Sequence, residues 1–188
     1  YSPNGTLDLN GFNQTVGELR HGTTNAGSRT VTSATAATLT VNQDVDSTYD
    51  GALTGSLAIT KSGTGRLTLA GDSSYSGVTN VSAGTVRIQH NNALGATTGN
   101  TVVGTAGQLQ LDGSAGALNI AEPITIDGSN NDGSWGGPLR NVAGDNTYSG
   151  PVTLVGTTRI SQAGGSLLVT GGVTGSHSFT VNNGSGTI

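Results

Sequence analysis

Asn42, Asp44 and Asp46 alternate along one extended stretch, and Asp50 follows them in a turn. Oxygen ligands spaced this way are the hard donors that calcium takes. A second oxygen-rich group, Asp127, Asn130, Asn131 and Asp132, shares a glycine-rich interval with Trp135, the chain's only tryptophan. Neither group has EF-hand spacing or a bidentate glutamate at its far end. Asp and Asn also cap turns with their own side chains. Both groups, 42–50 and 127–132, therefore stay open between calcium and turn capping, and no metal ligand or cofactor is assigned.

Catalytic chemistry fares no better. Glycoside hydrolysis needs two carboxylates facing one bond across a cleft. The eleven acids include no adjacent pair, and nothing sets one opposite another. A polysaccharide lyase would add a calcium cluster and a basic residue. Arg66, Arg87 and Arg159 are available, but each sits beside a strand segment and reads as a solvated outward position. No Gly-x-Ser-x-Gly elbow occurs, and His21, His90 and His177 lie far apart. Gly63-Thr64-Gly65 lacks the helix and the Lys-Ser/Thr pair of a phosphate loop. Cysteine is absent, which removes thiolate nucleophiles, thiolate metal sites and disulfides. No catalytic residue is assigned, and a non-enzymatic role is expected.

Composition narrows the partners. The chain of 188 residues carries a net charge of −4, one lysine and six arginines scattered along the sequence. No basic stripe is visible in that order, so nucleic acid is not an expected partner. No apolar run exceeds three residues, which excludes a membrane-spanning helix in this chain. Tyr1 is no translation start and no signal peptide is visible, so a fragment, a processed product or an excised piece of a protein is expected. Two Phe, one Trp and no Met leave little for a broad core. Layers of Leu, Val and Ile remain feasible.

The elements that would position these residues are short strands. Gly65-Arg66-Leu67-Thr68-Leu69 and Gly84-Thr85-Val86-Arg87-Ile88 alternate polar and apolar residues, which puts the apolar ones on one face. The clause recurs at Gly5, Gly107 and Gly165. Asp72–Gly77 supplies a turn between the two best copies, echoed by Asp46–Gly51 and Asp145–Gly150. Tyr49, Tyr75 and Tyr148 all stand in that turn. Their shared context predicts packing at equivalent corners rather than exposed stacking on sugars. Val31, Leu39, Val41 and Val45 keep period two, whereas Ala34–Ala37 fits no element. Helical periodicity is missing throughout. Repeats of about 19 to 26 residues point to stacked coils, with an antiparallel β-sandwich as the runner-up fold and a largely disordered chain behind it.

Residues 61–95 resemble the autotransporter-associated β-strand repeat of bacterial surface proteins. Lys61, Gly63, Gly65, Leu67, Leu69, Gly71, Tyr75, Gly77, Thr79, Val81, Gly84, Val86, Ile88, Leu94 and Gly95 carry the resemblance. Ser73-Ser74 stands where that repeat usually has Asn-Thr. The resemblance implies an all-β, right-handed parallel β-helix, here of roughly eight coils, exposed outside the cell and without catalytic residues. The expectation is one solenoid segment, 1–188, of a longer protein, with 127–137 as a protruding loop. Trp135 reads as a ligand or partner contact, or as cover for a coil edge. The expected role is an adhesin or passenger stalk, extracellular or anchored at the outer membrane. Its partners would be host or neighbouring-cell surface glycans or proteins, or copies of itself end to end. A filament or biofilm-matrix subunit is the alternative, and a polysaccharide lyase or hydrolase comes after it.

Overall fold

The structure, a computed structural model, describes residues 4–21, 28–128 and 136–183. Among them every strand pairing is parallel and no helix occurs. That rules out the sandwich. The chain winds instead as a β-solenoid whose levels stack through three walls.

One wall runs through all eight levels. Its register passes from Gln14–Val16 to Leu39–Val41, Ile59–Lys61, Thr79–Val81, Thr101–Val103, Ile124–Ile126, Val152–Leu154 and Val173–Thr174. At about 4.8 Å per level the stack is roughly 40 Å long. Alternation decides which residues enter the core. Leu39, Ile59, Ile124 and Val152 point inward and are at most 1% exposed. Thr40, Thr60, Thr125 and Thr153 face outward, where a β-branched polar residue suits a half-solvated strand. Each inward aliphatic side chain contributes about 2 kcal/mol of burial. Parallel stacking repeats that gain at every level.

The next wall holds the alternating clauses. Leu67, Val86, Leu109, Leu139 and Ile160 form its inward column, all buried. The clauses at 65, 84 and 107 therefore sit directly above one another. Those at Gly5 and Gly165 do not. The strand Gly5–Asp8 pairs with 29–32, and Ser166–Val169 pairs with Asp145–Tyr148, both on the remaining wall. Short alternating strands look alike wherever they lie, because each wall asks for the same inward–outward pattern.

Corners need glycine where the chain turns between walls. Gly63 and Gly84 have φ of 74° and 68°, and a Cβ at Gly84 would strike the carbonyl oxygen of Gly63 one level below. Only glycine meets both demands cheaply. The unplaced alanines resolve as another corner. The strand Arg29–Asn42 shifts register between Ser33 and Ala37, with Ala34, Thr35 and Ala36 exposed at the bend. Successive levels lie 20 residues apart at Leu39 to Ile59, but 28 apart at Ile124 to Val152. The longer step contains the interval 127–137. Of that interval, 129–135 falls outside the described residues, and with it Asn130, Asn131, Asp132 and Trp135.

Candidate functional site

The residues weighed as calcium ligands bond along the stack, Asn42, Asp44 and Asp46 to the next level and Asp50 to the one before. Asp44 Oδ1 accepts hydrogen bonds from the Thr64 backbone N at 2.8 Å and from Thr64 Oγ1 at 3.0 Å. The backbone bond chiefly, then the hydroxyl bond, lowers its carboxyl pKa. Asp46 accepts from the Arg66 backbone N at 2.8 Å and pairs with Arg66 Nη2 at 2.7 Å. Asn42 Oδ1 accepts from Ser62 Oγ at 3.2 Å, and Asp50 pairs with Arg29 at 3.0 Å. Each therefore caps a turn or a neighbouring strand. Among the described residues no three His, Asp or Glu side chains converge on a point. The histidines stay apart: His21 lies 3.7 Å from Asp50 and His90 lies 3.7 Å from Asp72, while His177 is exposed.

The tyrosines are interior. Tyr75 and Tyr148 are fully buried and Tyr49 is 4% exposed. Tyr75 and Tyr148 each stand four residues before the same inward column, at Thr79 and Val152, so they occupy equivalent corners. Tyr49 departs from the expectation. It pairs with Leu69 in the clause wall, one strand earlier than the other two. The Tyr75 hydroxyl meets Thr79 Oγ1 at 2.5 Å, and the Tyr148 hydroxyl donates to the Glu122 carbonyl at 2.9 Å. Burial raises the pKa of all three phenols, Tyr49 to about 12. Tyr75→Phe should cost about 1 kcal/mol in urea unfolding, because Thr79 Oγ1 loses a partner inside the core.

Two buried charged residues escaped the sequence reading. The Lys61 side chain is wholly buried between Val41 and Val81 in the core column. Its Nζ donates to the carbonyls of Ser62 at 2.5 Å, Gly63 at 2.9 Å and Gln43 at 3.4 Å. Burial lowers its pKa, and the charges of Asp44 and Asp46 oppose that. Glu122, 3% exposed, accepts one hydrogen bond from Thr101 Oγ1 at 3.1 Å, and its Oε2 has no partner. Burial pushes its pKa up to about 8. Parity was the available signal. Lys61 continues Leu57 and Ile59, and Glu122 continues Leu118 and Ile120, on the inward count of their strands.

The outer face of the clause wall gathers arginines that look scattered in sequence. Register places Thr68, Arg87, Gln110, Arg140 and Ser161 one above another. Arg66 and Arg159 stand two residues before Thr68 and Ser161, on the same face. With Arg20, which stands below Thr48 in the same column, five of the six arginines thus share one wall. At the lower levels they are neutralised. Arg66 pairs with Asp46, while Arg87 donates to Gln110 Oε1 at 2.8 and 2.7 Å and lies 3.7 Å from Asp112. Burial, and after it the nearby Arg66, pulls the Arg87 pKa down. Burial alone would raise the Asp112 carboxyl, but hydrogen bonds from Ser114 and Gln89, with Arg87 beside it, hold it below its usual value. At the upper levels no acid among the described residues answers. Among the described residues the side chains of Arg140 and Arg159 form no ion pair and no hydrogen bond, and the Nε of each is buried without a partner.

Known proteins resemble this chain in the same terms. Residues 59–88 match the Passenger-associated-transport-repeat family. The chain is 32% identical over 186 residues to the protein named Adhesin BmaC autotransporter, from Brucella suis biovar 1 (strain 1330). The match takes in 98% of this chain, which spans about 4% of that protein's length. No solved structure matches significantly. The matched repeat falls on the levels from Ile59 to Ile88, where core column, corner glycines and clause wall coincide, so the chain's likeness to autotransporter passengers lies in the repeating unit of the solenoid itself.

Proposed function

We propose that the chain is one solenoid segment of a longer extracellular rod that holds binding surfaces away from a bacterial cell and takes part in attachment. The observation that carries this is the unbroken parallel register through eight levels. A chain built that way bonds mainly to its own neighbours above and below, which suits a stiff spacer. The matched relative's being an adhesin supports the adhesive part and a non-catalytic role, and the passenger repeat supports a place at the cell surface. The interval 127–137 would be one displayed loop. Its described end lies on the arginine face, where Gln108 Nε2 donates to the Gly137 carbonyl at 2.9 Å.

Display of the segment on a non-adherent bacterium tests the proposal. Attachment to cultured host cells should rise above that of the same bacterium displaying an unrelated solenoid of equal length. Equal attachment would remove the adhesive role. A filament subunit is the second reading, favoured by apolar side chains at both ends of the described stack. Leu7 and Phe12 are 54% and 66% exposed at one end, and Phe179 and Val181 are each 45% exposed at the other. Sedimentation that stays monomeric across a wide concentration range would discard it.

A further inference from the structure

We infer that the upper part of the arginine face, around Arg140, Arg159 and Ser161, binds sulfate groups of an anionic polysaccharide. The inference names a ligand class for the attachment role proposed above and rests on it. The geometry is that of an anion site. Arg140 stands directly opposite Ser161 across the parallel pair, and Arg159 is the diagonal neighbour on the same face. Such diagonal positions lie about 7–8 Å apart. Two like charges carried on neighbouring positions of one face repel one another, and an anion between them relieves that repulsion. Yet the lower arginines have Asp46 and Asp112 as partners, and these two have none among the described residues. Ser161 adds an independent sign. It is 3% exposed on an outward position, and its hydroxyl has no hydrogen-bond partner. A buried, unsatisfied hydroxyl beside two unpaired guanidinium groups is costly unless a ligand oxygen completes it.

The class of anion follows from what surrounds the pair. Sulfate presents several oxygens to guanidinium forks, which arginine engages by paired N–H donors. A polymer of sulfated sugars would extend the contact down the stack toward Arg87. Single-stranded nucleic acid would need aromatic platforms for its bases. The described outward positions beside the arginines include Thr, Gln, Ser, Pro and Asn and the acids Asp46 and Asp112, with no aromatic residue among them.

Heparin is the probe, measured by titration calorimetry at low and moderate salt. The folded segment should bind it, and R140Q/R159Q should bind about tenfold or more weakly with a shallower salt dependence. Arg20→Gln, which removes an arginine paired with Glu18 at the first level of the same wall, five levels below Arg140, should bind nearly as the parent does. R140K/R159K keeps the charges but loses the forks, and should recover part of the affinity. Unchanged unfolding midpoints would separate lost binding from lost structure. Absent heparin binding, equal losses in R20Q and R140Q/R159Q, or tighter binding to single-stranded DNA than to heparin would each overturn the inference. Host-cell attachment that survives R140Q/R159Q while heparin binding is lost would leave the adhesive role standing and remove only this ligand from it.

Discussion

Replacing Lys61 by alanine should destabilise the fold by about 4 kcal/mol, the largest single loss expected in this chain. Two effects add. The aliphatic stem fills the core column between Val41 and Val81, and its removal opens a cavity worth about 2 kcal/mol. The ammonium caps a corner, and losing its charge-assisted hydrogen bonds costs about as much again. The Gln43 and Ser62 carbonyls keep backbone partners, from Gly65 N and Gln43 N, at 3.0 and 3.1 Å. The Gly63 carbonyl depends on Lys61. Lys61→Met should separate the two effects, since it keeps the stem and drops the charge, and lose about half as much. Urea unfolding with unchanged slopes measures both. If Lys61→Met unfolded at the parent's midpoint, water would have to satisfy that corner, and the ammonium would be dispensable.

The second large effect depends on pH and belongs to Glu122. Its carboxyl is lifted from an ordinary 4.5 to about 8 by burial, with only Thr101 offering a hydrogen bond. A group raised in this way favours the folded state below its unfolded pKa and surrenders that advantage as pH rises through its folded value. Stability should therefore be highest near pH 4.5 in respect of this residue and fall between pH 4.5 and 8. At pH 7 the gap corresponds to roughly 3 kcal/mol. Glu122→Gln keeps the shape and the Thr101 contact without a charge. It should equal the parent near pH 4.5 and exceed it by about 3 kcal/mol at pH 7. Unfolding midpoints measured across that window decide it. A parent whose stability is flat from pH 5 to 8 would show that water reaches the buried carboxylate.

The fold was more legible than the surface. Period-two alternation in Leu57-Ala58-Ile59 or Leu67-Thr68-Leu69 reports directly on which side faces the core, because a strand's geometry allows nothing else. The same rule marked Lys61 and Glu122 as inward, but their charge argued for solvent, and tertiary contacts overrode that prior. The arginine face was hidden for a different reason. Arg66 and Arg87 stand 21 residues apart, but Arg87 and Arg140 stand 53 apart, with Gln110 between them and the interval 127–137 lengthening the step. Extra residues between two walls leave the register on either side intact and erase the period from the sequence. The equivalence of Tyr75 and Tyr148 survived because their turn keeps its length before the next strand. Tyr49 shared the turn's residue types without its place.

Level-by-level bonding also sets how such a rod answers a pull. A terminal coil can peel away while the coils behind it stay bonded, since each level is held by its immediate neighbours. Levels here are typically 20 to 23 residues apart. A peeled coil would pay out about 70 Å of extended chain in exchange for about 4.8 Å of stack. A tether made this way lengthens in steps under load. Force on whatever holds its far end is capped by the strength of one coil rather than by that of the whole rod.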